Sequence, residues 1–101
     1  MLEAANQIHK KKMLLIDDDP KLLIGLKAVM SRKGYEVISA TNGNEGIQLA
    51  KDNHPDIIIC DIMMPPPNGF QVKNMMLGDE ATADIPFIFL TARTLGADKI
   101  A

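Results

Sequence analysis

Three consecutive aspartates, Asp17, Asp18 and Asp19, follow the apolar run "MLLI" at 13–16, and a fourth, Asp61, follows the β-branched run "DIIIC" at 56–60. Adjacent carboxylates repel one another, so each needs a reason to be there. Asp19 before Pro20 reads as a helix start, with a carboxylate N-cap and a proline at the first helical position. One helix start uses one cap, which leaves Asp17 and Asp18 unexplained. If the two apolar runs are neighbouring strands, Asp17, Asp18 and Asp61 converge within about one strand spacing, ~4.8 Å. Carboxylates that close raise one another's pKa values unless a cation neutralises them. Oxygen-only ligands suit a hard cation, and Mg²⁺ uses a few carboxylates together with waters and phosphate oxygens; Mn²⁺ accepts the same ligands.

The elements that must position these groups alternate along the chain. Apolar strands are expected at 13–16, 36–40, 56–60 and 87–90. Between them, Leu22, Leu23, Leu26, Val29 and Met30 recur at helical spacing until Gly34 closes the segment. Asn42 with Glu45 resembles a capping pair for a second helix ending before His54 and Pro55. Asn68 and Gly69 open a third, with Val72, Met75 and Met76 on one side. The order β-α-β-α-β-α-β with near-continuous apolar strands argues for an α/β fold, a parallel sheet covered by helices on both faces. Ligands of such sheets bind outside the carboxyl ends of the strands, so chemistry is expected just after residues 16, 60 and 90.

Composition narrows the function classes. A chain of 101 residues suggests one domain, and 47% hydrophobic with 24% charged residues is ordinary for a globular protein. A formal net charge of −2 gives no global argument for nucleic acid or membrane binding. No apolar run approaches the roughly 20 residues that cross a bilayer, and "MLEAANQIHKKK" has no secretory h-region. Four aromatics and no Trp argue against stacking platforms for single-stranded nucleic acid. The single cysteine, Cys60, excludes an internal disulfide and fits a reducing cytoplasm; it reads as core, not as a nucleophile. His54 reads as a helix-end cap, and His9 beside "KKK" as part of a solvated charge run.

Together "LLIDDDP", "PDIIICDIMMP", the following "NGF" and "PFIFLTA" resemble the receiver domain of bacterial two-component response regulators, in that family's order and spacing from about Lys11 to Ala92. The resemblance implies a flavodoxin-like doubly wound sheet of order 2-1-3-4, with residues 1–10 as a polar extension and 11–101 as the receiver. It implies that Asp61 is the phosphoacceptor and that Asp17 and Asp18 bind Mg²⁺ with it. Met63 would offer the metal its backbone carbonyl. Thr91 would contact the phosphoryl group and act as the switch, with Ala92 the small residue beside it. The implied partner is a sensor histidine kinase or phosphotransfer protein, and the implied role is cytoplasmic signalling, not turnover.

A full receiver of this family continues with a further helix, a fifth strand near a lysine, and a fifth helix. The expectation here is a receiver incomplete at its C-terminus, without that lysine, since Lys99 falls inside the next helical segment. Slower phosphorylation and a bare fourth-strand edge open to homodimerisation would follow. Two other readings compete. A receiver-like fragment could act in protein interaction alone, inert in phosphotransfer. A haloacid-dehalogenase-like phosphatase would instead use Asp17, Asp19 and Thr91, but that family has no use for "CDIMMP".

Overall fold

The computed structural model describes residues 10–90; the expectations for Thr91, Ala92 and the tail beyond them lie outside the described residues. Four strands alternate with three helices: β1 (Lys12–Ile16), α1 (Pro20–Arg32), β2 (Glu36–Ala40), α2 (Gly43–Asn53), β3 (Ile57–Asp61), α3 (Gly69–Leu77) and β4 (Phe87–Leu90). All pairings are parallel, in the order β2-β1-β3-β4. The order follows from the apolar content of the strands, because the innermost must be apolar on both faces. Met13, Leu14, Leu15 and Ile16 of β1 are all buried.

Alternate residues of these strands build two cores. Leu14, Ile16, Ile58 and Cys60 pack with Ile47 and Ala50 of α2 and with Val72 and Met76 of α3. Met13, Leu15 and Val37 face the other way, onto Leu23 of α1, with Leu26 and Met30 half-buried beside them. Helical spacing overstated this second face: Leu23 is the only fully buried residue of α1, and Val29 is exposed. The same correction applies to α3, where Val72 and Met76 point inward but Met75 is half exposed. Met75 lies about 100° round the helix from Met76, far enough for the core to take Met76 and leave Met75 at its edge.

The helix ends follow local chemistry. Asp19 Oδ1 accepts from the N–H groups of Lys21 (3.0 Å) and Leu22 (3.3 Å) and caps α1, as expected of "DP". Gly34, at φ 101°, ends that helix in a Schellman turn: its N–H donates to Ser31 O (3.0 Å), and that of Tyr35 to Met30 O (3.1 Å). Asn42 accepts from Glu45 N–H at 2.8 Å, but the Glu45 carboxylate reaches back to Thr41 N–H (3.1 Å) instead of closing on Asn42 itself. A full capping box occurs at α3, between Asn68 and Gln71. His54 closes α2 in the left-handed region (φ 44°), its Nε2 lying 3.2 Å from Asp84 Oδ1. Among the described residues, no helix is long and apolar enough to cross a membrane.

The turn between α3 and β4 is held by Thr82, which is 1% exposed. Its hydroxyl donates to Met76 O at 2.7 Å, satisfying a carbonyl at the end of α3. Thr82→Val keeps the volume and removes the donor, so unfolding free energy should fall by about 1–2 kcal/mol. In thermal unfolding that is a loss of roughly 4–8 °C per kcal/mol for a domain of this size. An unchanged midpoint would show that the bond contributes nothing net.

Candidate functional site

The site forms where β1 and β3 end together. Ile16 pairs with Cys60 in register, so the next residues, Asp17 and Asp61, emerge side by side at the carboxyl edge of the sheet. The ladder continues beyond β1, because Asp17 N–H donates to Ala40 O (3.1 Å), fixing the backbone that carries the first carboxylate. On the other flank Asp61 pairs with Leu90, and Ile62 N–H donates to Leu90 O (3.3 Å). One carboxylate oxygen from each of Asp17, Asp18 and Asp61 lies within 4.8 Å of the others. Asp17 and Asp61 are buried (5% and 9% exposed), whereas Asp18 faces solvent.

Each buried carboxylate accepts a main-chain hydrogen bond. Asp17 Oδ1 accepts from Asp19 N–H at 2.9 Å, and Asp61 Oδ1 from Met63 N–H at 3.2 Å. Those bonds do not offset burial. Desolvation, then the charges of Asp61, Asp18 and Asp19, push the Asp17 carboxyl up to about 6, against the lowering effect of the Asp19 N–H. Desolvation also raises Asp61, aided by the charge of Asp18 and opposed by the N–H groups of Met63 and Ile62. Among the described residues, no lysine or arginine forms an ion pair with any of the three. The cluster is therefore short of positive charge, and its donor set is oxygen only. Both features fit a hard divalent cation such as Mg²⁺.

Cys60 belongs to the core. It is fully buried, its Sγ–H donates to Asp61 O (3.2 Å), and burial followed by the charges of Asp61 and Asp17 pushes its thiol up to about 12. A thiol that far from ionising is no nucleophile at neutral pH.

The structure thus brings together Asp17, Asp18 and Asp61 and assigns Asp19 to the helix cap, as the residue pattern indicated. Met63 enters through its N–H on Asp61, a contact that spacing alone did not predict; its side chain is 69% exposed. The loop behind it closes on Ile62, whose carbonyl accepts from Met64 N–H (3.1 Å) and Gly69 N–H (3.0 Å). Neither bond was foreseen, because both are made by main-chain groups that carry no signature in residue type.

The family model for the response regulator receiver domain matches residues 13–101. Protein PilH of Pseudomonas aeruginosa is 36% identical over 89 residues, covering 88% of this chain and 74% of PilH. The transcriptional regulators that also match are covered over only 35–40% of their length. Among solved structures, the N-terminal domain of a response regulator receiver protein from Methanoculleus marisnigri superposes with a TM-score of 0.78 at 34% identity, over 80% of this chain and 66% of that one. The receiver domain of the sensor histidine kinase PA1611 from Pseudomonas aeruginosa, described with a magnesium ion coordinated in its active-site cleft, gives a TM-score of 0.79 at 25% identity, over 91% of this chain and 75% of that one.

Proposed function

The chain belongs to the response regulator receiver family, and from that premise we propose that it takes a phosphoryl group onto Asp61 in a Mg²⁺-dependent reaction. It is a signalling module of a two-component system, with residues 11–101 as the receiver and 1–10 as an extension. The observation that carries the proposal is the convergence of Asp17, Asp18 and Asp61 at one sheet edge, their oxygens within 4.8 Å of one another. Asp17, Asp18, Asp61 and the Met63 carbonyl would hold the cation. The magnesium ion of the similar PA1611 receiver supports that choice of metal. When bound, Mg²⁺ offsets charge on the phosphoryl oxygens and on the three carboxylates.

The chain's own groups do the rest. An oxygen of Asp61 attacks phosphorus while the bond from phosphorus to the donor breaks, the donor leaving with the electron pair. The donor is the phosphohistidine of a sensor kinase or phosphotransfer protein, or a small acyl phosphate. Met63 N–H, on Asp61 Oδ1, fixes the carboxylate in one rotamer before the attack. Thr91 follows β4 directly, and Asp61 is paired in register with Leu90, the last residue of that strand. On this reading Thr91 contacts the phosphoryl oxygens beside the small Ala92, and the added charge biases a two-state loop. The phosphatase reading is weaker, because it leaves Asp61 without a role and uses for Asp19 a residue that already caps α1.

The test is an intact-mass measurement after incubation with Mg²⁺ and a small acyl phosphate. One phosphoryl adduct is expected, and none when a chelator removes the metal. A folded sample that gains no adduct under any metal condition would leave the interaction-only reading in its place.

A further inference from the structure

We propose that Gly69, the first residue of α3, is a positioning residue that sets where Asp61 stands relative to Asp17 and Asp18. The inference rests on the reading that these three carboxylates hold the cation. A Cβ on Gly69 would lie 2.4 Å from Asp61 O, 2.7 Å from Ile62 Cα and 3.1 Å from Asp61 C. All three are backbone atoms, so no side chain can swing aside to admit a methyl group. The Gly69 N–H meanwhile donates to Ile62 O at 3.0 Å, drawing the helix start and the strand end together.

Helix α3 cannot simply retreat. Its Val72 and Met76 are 0% and 2% exposed in the core. Beside Val72, Gly43 of α2 approaches so closely that a Cβ there would lie 2.6 Å from Val72 Cγ2 and 2.7 Å from Pro67 Cγ. Bulk at 69 is therefore absorbed by the chain at Asp61 and Ile62. That is the segment that carries the Asp61 carboxylate and the Met63 N–H bonded to it. Displacement there separates the β3 ligand from the two β1 ligands while leaving every ligand chemically intact. Helical geometry itself accepts alanine at this position, so close approach alone demands glycine.

The experiment titrates Mg²⁺ by calorimetry into the parent, Gly69→Ala and Thr82→Val, with the folded fraction of each followed by circular dichroism. Gly69→Ala is expected to raise the Mg²⁺ dissociation constant by about tenfold, the scale on which groups that orient metal ligands act. Thr82→Val, destabilised at the opposite end of α3, should stay within about twofold of the parent, which separates positioning from general loss of stability. If Gly69→Ala is largely unfolded, the same titrations are run in trimethylamine N-oxide, which restores the folded population without adding a ligand. A folded Gly69→Ala with parental Mg²⁺ affinity overturns the inference alone. A parent that binds no Mg²⁺ overturns the site reading and the inference with it.

Discussion

Asp61→Asn should abolish phosphoryl uptake from an acyl phosphate, by at least about a thousandfold, while making the cation-free protein more stable. The two effects have one origin. On the proposed reading the carboxylate oxygen supplies the attacking electron pair, and an amide of the same shape does not; removal of a covalent nucleophile is among the largest single losses an active site sustains. The neighbours still hold the variant's side chain, since Met63 N–H can donate to the amide oxygen as it does to Asp61 Oδ1. What disappears is a charge that burial and Asp18 both oppose. Mass spectrometry in the presence of Mg²⁺ reads the first effect, and the thermal midpoint in a chelating buffer reads the second. An adduct retained in Asp61→Asn would move the acceptor elsewhere. A variant less stable than the parent without metal would mean that the Asp61 carboxylate is better solvated than its burial indicates.

How much of this was legible in the sequence depends on how local each signal is. The Asp19–Pro20 start and the Gly34 stop could be read directly, since a cap and a left-handed turn each depend on a few adjacent residues. The convergence of Asp17, Asp18 and Asp61 was also legible, through parallel strands whose carboxyl ends must share one edge. Side-chain register on the helices was less so. In α3 the adjacent Met75 and Met76 differ only by rotation about the axis, and the core took Met76. The contacts that finish the site were not legible at all. Asp17 with Asp19 N–H, Asp61 with Met63 N–H, and Gly69 against Asp61 O are main-chain contacts set by loop closure. Thr82 was invisible for a similar reason, because a threonine in a polar turn looks the same whether its hydroxyl faces water or Met76 O.

Asp17→Asn should invert its rank against the parent when Mg²⁺ is added. In the cation-free parent, Asp17 titrates at about 6 when folded against an ordinary carboxylate value of 3.8. A carboxyl whose pKa is raised by folding binds its proton more tightly in the native state. Its unfavourable contribution is therefore absent below about pH 4, grows as pH rises through 6, and is complete above it. That shift corresponds to at most about 3 kcal/mol. Asparagine also weakens the bond from Asp19 N–H, which takes back part of the gain, so a net stabilisation of about 1–2 kcal/mol is expected at pH 7.5 and almost none at pH 4. Comparing variant with parent cancels the titration of every group that Asp17 does not touch. The pH slope that remains in the variant includes the share from Asp61, which is raised by its own burial and by Asp18. Adding Mg²⁺ reverses the sign, because a ligand that binds only the folded parent stabilises it by about 2.7 kcal/mol at a hundred times its dissociation constant. The variant, missing one of three carboxylates, should gain little. Thermal unfolding at pH 4 and pH 7.5, with Mg²⁺ and with chelator, gives four differences between the two proteins. The prediction fails if Asp17→Asn is the less stable protein in chelator at pH 7.5, which would mean that the Asp19 N–H already compensates the buried charge.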